Sequence, residues 1–351
     1  VFFTGSGVWG PRVFMPRFLN LLPEADPMMI APPFWHPSVA RGFILDWDGV
    51  LADTKLDFAP IRAKYFKGER VPLVEAADML EKSRREDLER DLYELEMEGA
   101  RRAEPVKGAH ELLDWLKLWK IPWAVVSRNC RDSIFEAAKR CGIELPETVM
   151  SRDEGPLKPD PQALWAAAGA IGVEPSLCLM VGDFIFDLYG ARRAGMRAVL
   201  VERVVPEWDK WADISFQRLE DLVRSLGSPE PVVPREYREL ARQRGGRWLE
   251  RAWKIDAALP EASPEIFAVA MAAAGLGIGG MKLPEKARLS LEQWEHAPFL
   301  PLSLVDRPLV SVLAQVLGER FPQVNFSRGG AFRELPGDPD LVEEAVLSWM
   351  K

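Results

Sequence analysis

The stretch GFILDWDGVLADT, residues 42–54, decides the fold. Gly42 to Trp47 is a short apolar run that ends on charge, the pattern of a strand buried on both faces of a parallel sheet. Asp46 and Asp48 follow at its end, two residues apart, and leave the strand toward the same side of the sheet edge. Two buried like charges cost several kcal/mol unless a proton or a cation compensates them. Mg2+ would compensate them, because oxygen ligands at ~2.1 Å in octahedral array suit carboxylates and a backbone carbonyl at such a turn. Gly49 then lets the backbone approach a phosphate closely.

Working outward, short β-branched runs alternate with helical stretches from Gly42 to about Leu226. Strands are expected at Pro122–Ser127, Thr148–Ser151, Leu177–Asp183 and Arg197–Val201. Helices are expected near Gly108–Leu118, Arg131–Cys141, Pro161–Ile171 and Asp187–Ala194. That alternation predicts an α/β fold, a Rossmann-like parallel sheet with helices on both faces. Ligands of such sheets sit at the carboxyl ends of the strands, and the unusual polar residues fall there. Ser127 ends one strand, Lys158 lies in the loop GPLKPDP before a helix, and Asp183 and Asp187 follow another strand in GDFIFD. Singly each has an ordinary explanation; Asp187, for example, suits the first turn of a helix. Their order along the chain, each at a strand or loop boundary, is what points to a site.

The set Asp-x-Asp, Ser, Lys, Gly-Asp-x-x-x-Asp resembles the haloacid dehalogenase superfamily, in particular its phosphoglycolate-phosphatase-like members with a helical cap inserted after the first motif. The resemblance covers about Arg41 to Leu226. It implies that Asp46 is the nucleophile of a phosphohydrolase and that Asp48 is its general acid and base. It implies that Gly49, Ser127 and Lys158 bind the phosphoryl group. Mg2+ would then be held by Asp46, Asp48 through its carbonyl, and Asp183, with Asp187 completing the shell. Asp48 matters within the superfamily, since the true dehalogenases lack it. Arg128 after Ser127, and Phe184 and Phe186 between the last two aspartates, depart from the usual pattern and imply a changed substrate preference.

The implied organisation is an N-terminal extension over 1–40 and a core over 41–57 and 105–226. A helical cap covers 58–104, a linker 227–234 and a mostly helical C-terminal domain 235–351. The implied activity is Mg2+-dependent hydrolysis of a small soluble phosphate monoester, a phosphorylated metabolite. The alternatives are a phosphomutase of the same superfamily or a non-catalytic binding module, and the C-terminal domain could also meet a protein partner. The basic run Arg235 to Lys254 reads first as a solvated face.

Bulk properties exclude several classes. A net charge of −8 argues against a dedicated nucleic-acid binder, which needs excess cation. No run is long and apolar enough for a membrane span, and no basic, then apolar, leader opens the chain at Val1, so a cytoplasmic protein is expected. Cys130, Cys141 and Cys178 form no CxxC pair and read as free thiols. His36, His110 and His296 lack metal-ligand spacing and read as surface or cap residues. Two segments match G-x-G-x-x-G, Gly5–Gly10 and Gly275–Gly280, but neither has the strand, helix and acidic partner that a dinucleotide site requires.

Overall fold

A computed structural model of the chain describes residues 30, 32–326 and 331–350. The Gly5–Gly10 segment and most of the N-terminal extension lie outside these. The apolar run quoted above forms β1 (Gly42–Leu45), and the chain then folds into a short β2 (Ala52–Asp53). Three helices follow, α1 (Ala59–Phe66), α2 (Leu73–Ala76) and α3 (Lys82–Arg101), before β3 (Glu104–Pro105) pairs antiparallel with β2. The alternating part runs α4 (Ala109–Leu118), β4 (Trp123–Val126), α5 (Arg131–Cys141), β5 (Val149–Met150), α6 (Pro161–Ala170) and β6 (Cys178–Gly182). It ends α7 (Ile185–Arg193), β7 (Arg197–Val201), α8 (Pro206–Asp209), β8 (Ile214–Phe216) and α9 (Leu219–Gly227).

The main sheet has the order β5-β4-β1-β6-β7-β8, and every pairing is parallel. Side chains alternate across it as the two-residue period of a strand requires. Phe43, Leu45, Val125, Val181 and Val199 pack on one face with residues of α4, α5 and α9. Ile44, Ala124, Val126, Met180 and Leu200 pack on the other with α6 and α7. The chain leaves β1 toward β4 and β5 and later returns to β6 on the opposite side of β1. The carboxyl ends of β1, β4 and β6 therefore border the crevice where such sheets hold ligands.

The insertion between β2 and β3 is helical, as expected. It has a small core of its own around Ile61, Tyr65, Leu73, Leu88 and Leu92. The second half of α3 is packed onto the main body. Buried Glu96 accepts from the Cys130 amide at 2.8 Å and pairs with Arg152, and Tyr93 donates to Asp132 at 2.9 Å.

The C-terminal region is helix-rich, with α10 (Arg238–Arg244), α11 (Gly246–Ala252), α12 (Ile266–Gly275), α13 (Leu291–Glu295), α14 (Leu309–Arg320) and α15 (Val342–Trp349). It also contains a parallel sheet that the sequence reading missed: β9 (Asp256–Ala258) lies between β10 (Gly280–Lys282) and β11 (Arg333–Glu334). The Gly275–Gly280 segment is the turn from α12 to β10.

The basic run is largely exposed, as expected, at Arg238, Arg242, Arg244, Arg247, Arg251 and Lys254. Some of these side chains also make contacts: Arg238 donates to the Asp213 carbonyl, Arg244 pairs with Glu343, and Arg251 donates to the Met350 carbonyl. Within the same run Glu236 takes both nitrogens of buried Arg197 at 2.9 Å. His36 is not a surface residue but is fully buried, accepting from the Ser38 amide at 3.1 Å and meeting Ser225 at 2.8 Å. The expected linker is pinned too, since Trp35 and Val232 exchange backbone hydrogen bonds at 3.0 and 2.8 Å. Cys130, Cys141 and Cys178 are free and buried. Among the described residues, no helix is long and apolar enough to cross a membrane.

Candidate active site

The Asp46 amide still donates to the Val181 carbonyl, at 3.0 Å, so this residue is fixed by the sheet up to its own backbone. The next residues fold into a tight turn in which Leu51 and Ala52 both donate to the Trp47 carbonyl at 3.0 Å. Gly49 is held at φ +81°, where a side chain is strained, and a Cβ there would lie 2.2 Å from Asp183 Oδ2. A Cβ on Gly182 would likewise lie 2.2 Å from that of Asp187. Both glycines clear space for the second acidic pair to close on the first.

Lys158 is the centre of that closure. Its ammonium is fully buried, 2.8 Å from Asp46 Oδ1 and 2.7 Å from Asp187 Oδ1. Burial alone would lower its pKa, but the charges of Asp187 and Asp46 outweigh this and hold it above the usual range. Asp187 divides its two oxygens, since Oδ2 accepts from the Phe184 amide at 3.1 Å at the start of α7. Asp187 thus meets the helix-terminus reading while it also lies against Lys158.

Asp46, Asp183 and Asp187 each offer an oxygen, and these lie within 4.8 Å of one another. Burial, then the charge of Asp46, pushes the Asp183 carboxyl up to about 8 and that of Asp187 up to about 6. Arg203, from the loop after β7, lies against this cluster with Nε 3.0 Å from Asp183 Oδ2. The Asp48 carboxylate stands outside the three. Thr54 donates to its Oδ1 from the amide at 3.0 Å and from the hydroxyl, while burial pushes its pKa up to about 6 against those two bonds.

Ser127 ends β4, buried, with its amide on the Met150 carbonyl at 2.9 Å and its hydroxyl accepting from the Asn129 amide at 3.1 Å. Arg128 reaches from there to the Lys158 carbonyl and, at 2.7 Å, to Glu75 of α2. The sequence reading assigned no role to Thr54 or Arg203, and registered Arg128 only as a departure. Thr54 closes the opening stretch at 42–54 and could have been suspected there; nothing local signals Arg203.

The family model for haloacid dehalogenase-like hydrolases matches residues 40–195. Over this segment, somewhat less than half of its length, the chain is similar to that family. The matched residues run from the start of β1 through α7 and include every aspartate of the site, Ser127 and Lys158. Among curated relatives, the chain is 28% identical over 132 residues to pyrophosphatase PpaX of Halalkalibacterium halodurans, 35% of this chain and 60% of that one. It is 33% identical over 96 residues to validoxylamine A 7'-phosphate phosphatase of Streptomyces hygroscopicus subsp. limoneus, 27% of this chain and 45% of that one. It is 46% identical over 86 residues to phosphatase MT3486 of Mycobacterium tuberculosis, 24% of this chain and 35% of that one. The chain thus spans less than two thirds of the length of each. A solved hydrolase from Pseudomonas syringae, 22% identical, superposes with a TM-score of 0.46 over 54% of this chain and 99% of its own.

Proposed function

We propose that this protein hydrolyses a small phosphate monoester through a phosphorylated Asp46, with Mg2+ as its metal. The observation that carries the reading is the buried ammonium of Lys158 set between Asp46 and Asp187, beside a cluster of three carboxylates. Such a cluster is costly to fold and has no use in a scaffold. The names of the three relatives support the same broad class: two are phosphatases and one is a pyrophosphatase.

Asp46 would attack phosphorus while the bond to the leaving oxygen breaks, and Asp48 would hand that oxygen its proton. A carboxyl pushed up to about 6 is suited to both giving and taking a proton near neutrality. In the second step the Asp48 carboxylate would take a proton from water, whose oxygen displaces Asp46 from phosphorus and releases inorganic phosphate. Ser127 and Lys158 would hold the phosphoryl oxygens, on which charge spreads in the transition state.

The residues fit Mg2+. Oxygens at ~2.1 Å from one octahedral ion stand at most ~4.2 Å apart, so a small inward shift of the three carboxylates closes the shell. Asp183, raised by burial and by the charge of Asp46 even with Arg203 beside it, is the group that binding would relieve. The metal would be held by Asp46, Asp183 and Asp187 with the carbonyl of Asp48, and when bound it supplies positive charge beside the phosphoryl oxygens.

The helical insertion over 58–104 acts as a cap in this reading, which limits substrates to small esters such as phosphoglycolate and related acid or sugar phosphates. The division into core, cap and a C-terminal accessory unit over 235–351 belongs to the same proposal, supported by the separate hydrophobic cores. The test is release of inorganic phosphate from p-nitrophenyl phosphate and a panel of small phosphate esters, with Mg2+ and with EDTA. Metal-dependent turnover supports the reading, and a folded protein inert across the panel overturns it.

A further inference from the structure

We propose that Arg128 is a positioning residue that ties closure of the cap to the placement of Lys158. The inference rests on the reading of Lys158 as a phosphoryl-binding group. Arg128 follows Ser127 directly at the end of β4, and its one guanidinium meets three other segments. Nη1 donates to the Lys158 carbonyl, and Nη2 lies 2.7 Å from Glu75 Oε2 in the cap. Its plane stands 4.7 Å from the ring centroid of Phe186, which lies between Asp183 and Asp187. Phe186 in turn packs edge-to-face on Phe184, and Phe184 on Trp208, with centroids 5.1 and 4.8 Å apart. Two features that stood apart in the sequence are thus one contact: the Arg128 guanidinium lies over the ring of Phe186. A planar guanidinium with five donors can stack and bond in two directions at once, which a lysine ammonium cannot.

Two of the links from the cap to the body differ in strength. Glu96 of α3 is 3% exposed and Arg152 14%, a buried pair that is costly to break. Glu75 is 48% exposed, a pair that water can replace at little cost. Burial opposes ionisation of Glu75, yet the hydrogen bond and charge of Arg128 hold its pKa below the usual carboxylate range, so the pair stays charged. The α1–α2 end of the cap, with the first half of α3 that shares its core, is accordingly the part that shifts, while the second half of α3 stays on the body. When it closes, Glu75 draws on the same side chain that braces Lys158 from behind.

Amide hydrogen exchange of the full chain reads this without any assay of turnover. In Arg128→Ala, exchange is expected to quicken both in residues 72–80 and at the amides of Leu157, Lys158 and Asp160. In Glu75→Gln, a change on the exposed side of the pair, exchange quickens in 72–80 and, by a smaller factor, at the same three amides. Arg128→Lys keeps the charge and should still quicken the three amides, so it serves if the alanine variant does not fold. Wild-type exchange at those amides in either Arg128 variant, or in Glu75→Gln, overturns the coupling. With a turned-over substrate, Arg128→Ala should lower kcat by about 10- to 100-fold, the cost of a misplaced group, with KM within about threefold. If wild-type protein turns nothing over while exchange responds as expected, the phosphatase reading fails and the bracing role stands. If turnover is normal and exchange is flat, Arg128 alone has been misread.

Discussion

Asp48 shows how single residues set this site. Its Oδ1 is held by two donors of Thr54, so the carboxyl expected to pass a proton is aimed from the strand that leads into the cap. Thr54→Val keeps the shape and removes the hydroxyl. We predict that kcat falls about tenfold while KM moves little, since the loss is of orientation at the reacting proton. Steady-state kinetics on any accepted ester checks this; an unchanged kcat would show that Thr54 only packs. Asp46, Asp48, Ser127, Lys158, Asp183 and Asp187 could be picked out in the sequence by their order along the chain, each at a strand or loop boundary. Arg203 could not. It lies 20 positions after Asp183 and reaches it only because β7 runs parallel to β6 and ends beside it.

At the scale of elements, the buried strands of the main sheet were legible because they are apolar runs bounded by turns and charge. Of the short ones β5 was, within Thr148–Ser151, but β2, β3, β8 and β9 were not. β2 and β3 have two residues each, and β9 reads Asp-Ala-Ala, which carries neither periodicity nor β-branched side chains. Those strands exist because tertiary packing supplies what local preference lacks: β9 is central to the C-terminal sheet, with Ala257 fully buried. The insertion was legible as helical from its 3.6-residue spacing, but its attachment was not, since Glu96 looks like one more acid on a charged helix. Glu96→Ala leaves the part-buried Arg152 without its nearer carboxylate and the Cys130 amide without an acceptor. A loss of about 3 kcal/mol is predicted, read from denaturant midpoints at constant slope. A loss below about 0.5 kcal/mol would mean that α3 is held by apolar contact alone.

The whole molecule is tied together by buried polar links. Arg197 joins Asp213 of the main body to Glu236 at the head of the C-terminal region, each at 2.9 Å, and Tyr237 beside it is buried against Phe321. On the other side His36 locks the N-terminal segment to α9 through Ser225. These links were invisible in sequence, where His36 had no motif and 228–234 read as a plain linker. Burial lowers the His36 pKa from 6.5 to about 4, and its Nδ1 accepts from an amide, so the fold requires the neutral ring. The unfolded chain takes up the proton first as pH falls. The His36 contribution is therefore complete above pH ~6.5 and is lost between ~6.5 and ~4, a change of about 3 kcal/mol. Urea unfolding from pH 7.5 to 4 should show that His36→Gln loses less stability than wild type by about that amount. Parallel curves would contradict the assignment.

The central claim is that Asp46 carries the phosphoryl group. The most direct measurement is acid quench of the protein during turnover of a phosphate ester with Mg2+, followed by peptide mass spectrometry across residues 42–54. The account predicts a phosphoryl group on Asp46 that is absent without metal and absent, together with turnover, in Asp46→Asn. Turnover that persists in Asp46→Asn, or that proceeds in wild type with no phosphorylated Asp46 peptide at any quench time, would contradict it.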